Sequence, residues 1–599
     1  MATFPNTKFI GNFSAWLITN KYLLILLLVT GTMYVPVLGY PLTWDDAMML
    51  QQNAVLADIA NIKLAFTQNY LEAIVNTNEA VPYYRPISLA IIFIERAVFG
   101  LYPVGYRIVS LLLHMGSISL LFFFLKRLLY NDAPLWGSSD TTAARAEFAA
   151  FIGMLFFIVV PYSVDAVIFV TNQGELFVLF LTLINVLLFN KYLSNGRHWL
   201  LAIIFFTTLL AAGSKETGTI IPVILGLTAI ATKKGFTPSV WRAILASLSA
   251  SILFVVLRTF VISNTVQFDP LNMLLTFPLH FLQAIRWGLL PHPLALTDPS
   301  PGPASLNAWT IASYLACVVY TIALILAYKR NRIIFTGLSL WGILIAPSLV
   351  AMHFSPVFSS RYLYLPAIGI SILLAYAILR FPLKSIITSA MLAYVSLLLL
   401  AIIRLSAWQS ETELWKLETE RQPTEMGPLN NLAAALMDDR QFEKALPLYW
   451  KLLKLAKTRG DLKFTALAYD KLAWFSEHRF KNDKKAFSLY KKSIQTYPTH
   501  LAWIGLGRLH AQDKNYQKAK ECFKKAEELR PNSFETLVYI ETISATMGDF
   551  DKALEYNTRL QNFVADKPDA LEGIRNRRKI ILKSMAKANS LPAIAPQDK

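Results

Sequence analysis

YRIVSLLLHMGSISLLFFFL, residues 106–125, is a long apolar run with a single charge, Arg107. Coiled into an α-helix, a run of that length covers the ~30 Å of hydrocarbon in a bilayer. Further apolar runs occur at 21–38, 147–163, 174–190, 199–213, 218–232, 241–262, 308–328, 333–352, 362–379 and 385–403. Together they predict an all-α fold, a polytopic membrane bundle of about eleven spans. The stretch 271–290 is also apolar but is interrupted by Pro278, His280 and Arg286. It reads as a tilted or interfacial segment, with a twelfth span as the alternative.

The chain of 599 residues is 55% hydrophobic and 16% charged, with a mean hydropathy of +0.43. Such values exclude a disordered chain and are too apolar for an ordinary soluble enzyme. They average two unlike parts. Residues 1–404 hold 24 Lys+Arg and 14 Asp+Glu, and the much shorter remainder holds 33 and 25. The contrast predicts a membrane domain over 1–404 with a long first outer loop at 39–105. A linker at 405–424, soluble helices at 425–575, and a cap and tail at 576–599 follow. Much of the net charge of +18 lies in short loops between apolar runs, which argues for membrane topology and against a nucleic-acid partner. Cys317 and Cys522 lie in different domains and offer neither a disulfide framework nor a cysteine metal site. Residues 22–38 read as a retained span, not a cleaved signal.

The basic loops set an orientation. Lys126, Arg127 and Arg145 share one loop, Lys191 and Arg197 a second, and Lys233, Lys234 and Arg242 a third. Lys329, Arg330 and Arg332, then Arg380 and Lys384, fill two more. All become cytoplasmic if the N-terminus is inside and 271–290 does not cross. The C-terminal domain is then non-cytoplasmic, in a bacterial inner membrane or in endoplasmic reticulum. Most acidic residues of the membrane part fall on the opposite, outer side. Asp165, Glu175 and Glu216 adjoin or interrupt apolar helices there, where ionisable groups are costly and usually functional.

From residue 425 the pattern becomes that of amphipathic helices. In LAWIGLGRLHAQDKNYQKAKECFKKAEELRP (501–531), Trp503, Leu506, Gly507, Tyr516, Ala519, Phe523, Ala526 and Pro531 take the spaced positions of a tetratricopeptide repeat. The register returns at Leu432, Phe442, Ala445 and Tyr449, at Ala473, Ala486, Tyr490 and Pro498, and at Ile540, Phe550 and Ala553. About four such units stack into a superhelix with a concave face.

The outer-side motifs carry the chemistry. In PLTWDDAMML (41–50), Asp45 and Asp46 form a carboxylate pair at a membrane exit. The pair suits a general base or, more plainly, the cap of the next helix. YYRPIS supplies Tyr84 and Arg85, TNQGELF supplies Asn172 and Glu175, and GSKETG supplies Lys215 and Glu216. SSRYLYLP supplies Arg361, Tyr362 and Tyr364, just after His353. Carboxylates and cations at one membrane surface suit transfer from a lipid phosphate, the base activating a hydroxyl and the cations holding the departing phosphate. The alternative is that Arg361 and Lys215 snorkel to headgroups, or that Lys215 pairs with Glu216.

In order, WDD, YRP, PYSVDAV with TNQGEL, SKETG, PHPLALTD, RYLYLP and WQSETELW before the repeats resemble the transmembrane and tetratricopeptide repeat-containing proteins. These are C-type integral-membrane glycosyltransferases related to protein O-mannosyltransferases. The resemblance covers nearly the whole chain. It implies inverting transfer of a sugar from a polyprenyl-phosphate-linked donor at the non-cytoplasmic face, with the repeats recruiting a protein or peptide acceptor. It maps the catalytic carboxylate to Asp46 and Asp45, and the phosphate-contacting cations to Lys215 and Arg361, with Arg85 beside them. Tyr84, Asp165, Glu175, Glu216, His353, Tyr362 and Tyr364 would line the sugar or acceptor pocket. No cofactor is called for; some related enzymes use a divalent ion, but no ligand cluster in the sequence makes the case for one. Two other functions fit parts of the sequence: a non-enzymatic repeat scaffold anchored in the membrane, and an O-antigen ligase or polymerase.

Overall fold

In lipid, backbone N–H and C=O groups must be satisfied within their own segment, so apolar runs coil. The computed structural model describes residues 20–51, 53, 55–70, 83–132, 139–262, 269–292, 295–299, 307–352, 357–381, 384–531, 533–564 and 568–589. It divides into two units, Met1–Ser410 and Glu411–Lys599.

The first unit opens with α1 (Lys21–Tyr34), α2 (Asp45–Leu50), α3 (Pro86–Phe99), α4 (Pro103–Tyr130), α5 (Ser139–Val159), α6 (Pro161–Ile168) and α7 (Gln173–Asn195). There follow α8 (Trp199–Ser214), α9 (Ile221–Ala231), α10 (Pro238–Val261), α11 (Pro270–Leu289), α12 (Ala308–Arg330), α13 (Arg332–Ala351), α14 (Ala367–Arg380) and α15 (Lys384–Ala407). Among the described residues, seven helical segments are long and apolar enough to cross a bilayer, those built on α4, α5, α7, α10, α12, α13 and α15. The expected spans at 21–38, 199–213, 218–232 and 362–379 form shorter apolar helices. Polar chemistry sets one of these ends: Lys215 is extended (φ −157°, ψ 151°), so α8 stops at Ser214. The expected span 147–163 is likewise cut, because Pro161 cannot donate to α5 and instead starts α6.

α11 is not among the seven. Pro278 sits inside it, and Thr276, His280, Gln283 and Trp287 are buried on one side. Gln283 and Trp287 donate to Asp298 at 2.9 and 3.0 Å. Asp298 belongs to β1 (Thr297–Pro299), which pairs antiparallel with β2 (Val357–Ser359), Asp298 opposite Phe358. The pair carries the chain directly into the 3-10 turn Ser360–Leu363 that holds Arg361 and Tyr362.

One buried knot spans the unit. Asp165 of α6 accepts from Arg404 Nε (2.7 Å), Trp408 Nε1 (3.2 Å) and Ser360 Oγ, and Asp165 and Arg404 are fully buried. A charge withdrawn from water needs such partners, and here they join α6, α15 and the Ser360 turn.

Among its described residues, the regular elements of the second unit are helices: α16 (Glu411–Arg421), α17 (Met426–Asp438), α18 (Phe442–Arg459), α19 (Leu462–His478), α20 (Asp483–Thr496), α21 (His500–Gln512), α22 (Tyr516–Leu529), α23 (Phe534–Thr546), α24 (Phe550–Phe563) and α25 (Pro568–Asn589). Residues 411–421, expected as linker, are therefore a helix, which buries Leu414 and Trp415. Ala519, Phe523 and Ala526 are buried in the α22 seam, while Lys484, Lys485, Lys491, Lys492, Lys524 and Lys525 are exposed. Across the seam, a Cβ on Gly507 would lie 2.5 Å from the Phe523 ring, so only glycine fits that crossing. Gly507→Val should therefore cost about 1–3 kcal/mol by overpacking and lower the thermal midpoint of the purified chain by circular dichroism. Gly427→Ala, with open space at its Cβ, should leave the midpoint unchanged.

Candidate active site

The first outer loop is pinned where it leaves α1. Arg107 of α4 is 3% exposed, and its guanidinium donates to the carbonyls of Val37 (3.0 Å), Leu38 (3.3 Å), Tyr40 and Pro41 (2.8 Å). Trp44 then adopts φ 52°, a left-handed conformation costly for a bulky residue. That turn starts α2 and points its two aspartates differently. Asp46 is buried, its carboxylate accepting the N–H groups of Val170 (2.9 Å) and Thr171 (2.8 Å) in the turn before α7. Burial pushes its carboxyl up to about 6, against the pull of those N–H groups and of Arg107. Asp45 is half-buried; burial raises its carboxyl too, and the nearby Arg361 charge opposes the rise.

The cations approach from three other segments. Arg361 lies 4.6 Å from the Phe169 ring centre and 6.0 Å from that of Trp44. Lys215 pairs with the buried Glu175 and sits 5.8 Å from the Tyr362 ring. Arg85 binds Glu216 through Nε at 3.1 and 3.2 Å and Nη2 at 2.9 Å, and lies over Tyr83 (4.6 Å) and Tyr70 (5.5 Å). Burial works against the Arg85 charge, but Glu216 holds the guanidinium above its usual range. Lys215 feels the charges of both Arg85 and Arg361, and Tyr70 feels those of Asp45, Arg85 and Arg361. The structure thus gathers Asp45, Arg85, Lys215, Arg361 and Tyr362, with Glu175 and Glu216 as counter-ions. Lys215 and Glu216 do not pair with each other; each takes a partner from another segment.

Several expected pocket residues lie elsewhere. Tyr84 is buried, donates to the Phe66 carbonyl (3.2 Å) and stacks on Phe254, whereas its neighbour Tyr83 supports Arg85. Tyr364 is fully buried with its hydroxyl 2.9 Å from His114 Nδ1. Asp165 is consumed by the Arg404 knot. His353 lies outside the described residues. Tyr83, Tyr70, Trp44, Phe169 and Arg107 were missed by the sequence reading; of these, Trp44 and Tyr83 belonged to motifs it had singled out for chemistry. Among the described residues, no group of three His, Cys, Asp or Glu side chains could hold a metal ion.

Comparison with known proteins accords with both units. Residues 500–533 match the tetratricopeptide-repeat family. A protein O-mannosyl-transferase of Caenorhabditis elegans is 23% identical over 73% of this chain and 63% of its own length. The Homo sapiens protein O-mannosyl-transferase TMTC3 is 22% identical over 86% of this chain and 66% of its own. This chain is homologous to protein O-mannosyl-transferases. A Drosophila melanogaster protein O-mannosyl-transferase matches at 27% identity over 22% of this chain and 15% of that one. The chain thus spans under two thirds of the length of the curated O-mannosyl-transferases it matches. Among solved structures, yeast Tom70 aligns at a TM-score of 0.26 and 14% identity, over 76% of this chain and 96% of its own, a score too low to carry an argument.

The Lys215–Glu175 pair tests whether the site is electrostatically braced. Side-chain exposure is 12% for Lys215 and 1% for Glu175. Glu175→Gln should cost about 3 kcal/mol by stranding the Lys215 charge, seen as a lower melting midpoint of the detergent-purified chain. Adding Lys215→Met should recover most of that loss, since an apolar replacement of the whole pair is near neutral. An unchanged midpoint in Glu175→Gln would show that the pair braces nothing.

Proposed function

We propose that this chain is an integral-membrane glycosyltransferase of the C type. It moves a hexose, with inversion, from a polyprenyl-phosphate-linked donor to a protein hydroxyl at the non-cytoplasmic face. In this reading there are eleven spans, the N-terminus is cytoplasmic, and the repeats present the acceptor. The observation that carries it is the pairing of unlike roles on adjacent residues. Asp46 spends both oxygens on backbone N–H groups, while Asp45 stays half-exposed beside Arg361.

Asp45 is then the general base, and Asp46 the residue that positions it, which exchanges the order of roles first assigned to the pair. Asp45 takes the proton of the acceptor hydroxyl as that oxygen attacks the anomeric carbon from the face opposite the phosphate. The anomeric C–O bond breaks, its electron pair leaves with the phosphate, and polyprenyl phosphate departs. Among the described residues, Arg361 alone of the three cations has no carboxylate ion pair, and its Nη1 is buried without a partner. It is placed to meet the phosphate first, with Lys215 and Arg85 behind it. Tyr362 beside Lys215 and Tyr83 beside Arg85 are aromatic surfaces that suit the sugar face.

The two aspartates should separate experimentally. Asp45→Asn should reduce transfer by about 10²–10⁴-fold, the range for losing a general base, with the melting midpoint intact. Asp46→Asn should lower the midpoint as well, because the amide accepts through one oxygen where the carboxylate used two. Because burial raises the Asp45 carboxyl, the acid limb of the pH profile should lie above the usual carboxylate range. Transfer from a polyprenyl-phosphate hexose to membrane-protein acceptors is the measurement; full activity in Asp45→Asn sinks the assignment.

A further inference from the structure

α4 has a second charged end, which the proposed reaction leaves unused. Arg107 marks the end near Asp45, and Lys126 and Arg127 follow nineteen residues later, about 28 Å along an α-helix. That spacing is close to the hydrocarbon thickness of a bilayer, so the two cations sit at headgroup depth on the opposite face from Asp45. There the ends of α4 and α5 enclose an open cavity of about 460 Å³ lined by Phe123, Lys126, Arg127, Tyr130 and Ala143. Phe123, Arg127 and Tyr130 recur at intervals of four and three residues on one side of α4, and all three are exposed. Lys126 is held in place by Glu147 at 3.1 Å. Among the described residues, Arg127 has no carboxylate partner.

The order of these groups along the helix matters. Phe123 lies about 5 Å nearer the bilayer centre than the cations, and Tyr130 about 5 Å farther out. Going outward, the wall offers an aromatic ring, two positive charges, then a ring with a polar tip, which is the order of an acyl chain, a phosphate and a headgroup. Ala143 leaves the space that a larger residue would fill.

We infer that this cavity binds the phosphate of an anionic phospholipid from the leaflet opposite the candidate active site. Arg127 contacts the phosphate, Lys126 adds its charge while staying paired with Glu147, and Phe123 packs along the acyl chain. A free phosphate shares the charge chemistry but has nothing to set against Phe123, so the site takes a lipid.

Native mass spectrometry of the detergent-purified full chain, titrated with phosphatidylglycerol, phosphatidylcholine or inorganic phosphate, tests this. Phosphatidylglycerol should be retained preferentially, with one lipid outlasting the rest as collision energy rises. Arg127→Gln should weaken that retention about tenfold, the worth of one charge-assisted hydrogen bond. Ala143→Phe should weaken it comparably without changing any charge, by filling the cavity. Arg330→Gln, at the end of α12, should leave it unchanged. Equal loss with Arg330→Gln would reduce the effect to general surface charge and overturn the proposal. So would full retention in Ala143→Phe, equal retention of phosphatidylcholine, or displacement by inorganic phosphate at matched concentration.

Discussion

The Asp46 carboxylate, accepting the N–H groups of Val170 and Thr171, is the interaction on which the candidate site depends. It ties the loop leaving the first apolar helix to the turn that starts α7, two segments far apart in sequence. Trp44, strained at φ 52°, and Phe169 come to lie at 5.6 Å between ring centres on either side of that tie. Those two rings form the surface on which Arg361 rests. Loss of the tie would free the base, its aromatic neighbour and the cation together. A carboxylate with both oxygens so engaged is a poor proton acceptor whatever its acidity, which is why chemistry falls to its neighbour.

Four further charges around the site are withdrawn from water together with a partner. Arg107 takes backbone carbonyls, Arg85 takes Glu216, Lys215 takes Glu175, and Arg404 takes Asp165. Each pair joins segments distant in sequence, so the ion pairs define which loops meet as much as the helices do. Arg404 and Trp408 extend this to the end of the last apolar helix, closing on α6 and the Ser360 turn through one carboxylate.

Much of this was legible in the sequence, and the illegible part has a physical reason. Apolar runs and the repeat register report local periodicity, and those helices formed. The motifs around Asp45, Arg85, Lys215 and Arg361 were visible because charged residues stand out in apolar text, and the fold gathers them. Which of two adjacent residues faces the site was not visible. Tyr83 and Tyr84, like Asp45 and Asp46, differ only in direction, and that direction is set by loop geometry that no composition reports. Asp165 and Tyr364 drew attention as polar groups near apolar helix ends, but their partners, Arg404 and His114, are more than two hundred residues away in sequence. The helix at 411–421 was hidden by its charge, since charged amphipathic text before a repeat reads equally as linker.

These partnerships also constrain how an anion can enter. A phosphate that sought Arg85 or Lys215 directly would have to displace Glu216 or Glu175, and a displaced Glu175 would stay buried beside the newcomer. Arg361 demands no such exchange, because among the described residues no carboxylate is ion-paired with it, and its charge acts on the half-exposed Asp45. An anion at Arg361 weakens the attraction between that guanidinium and Asp45, and so raises the carboxyl's affinity for a proton. A hydroxyl arriving afterwards meets a stronger base than the empty site holds. Under the proposed reaction the donor phosphate therefore does two things at once: it occupies the free cation and it readies Asp45 to take the acceptor's proton.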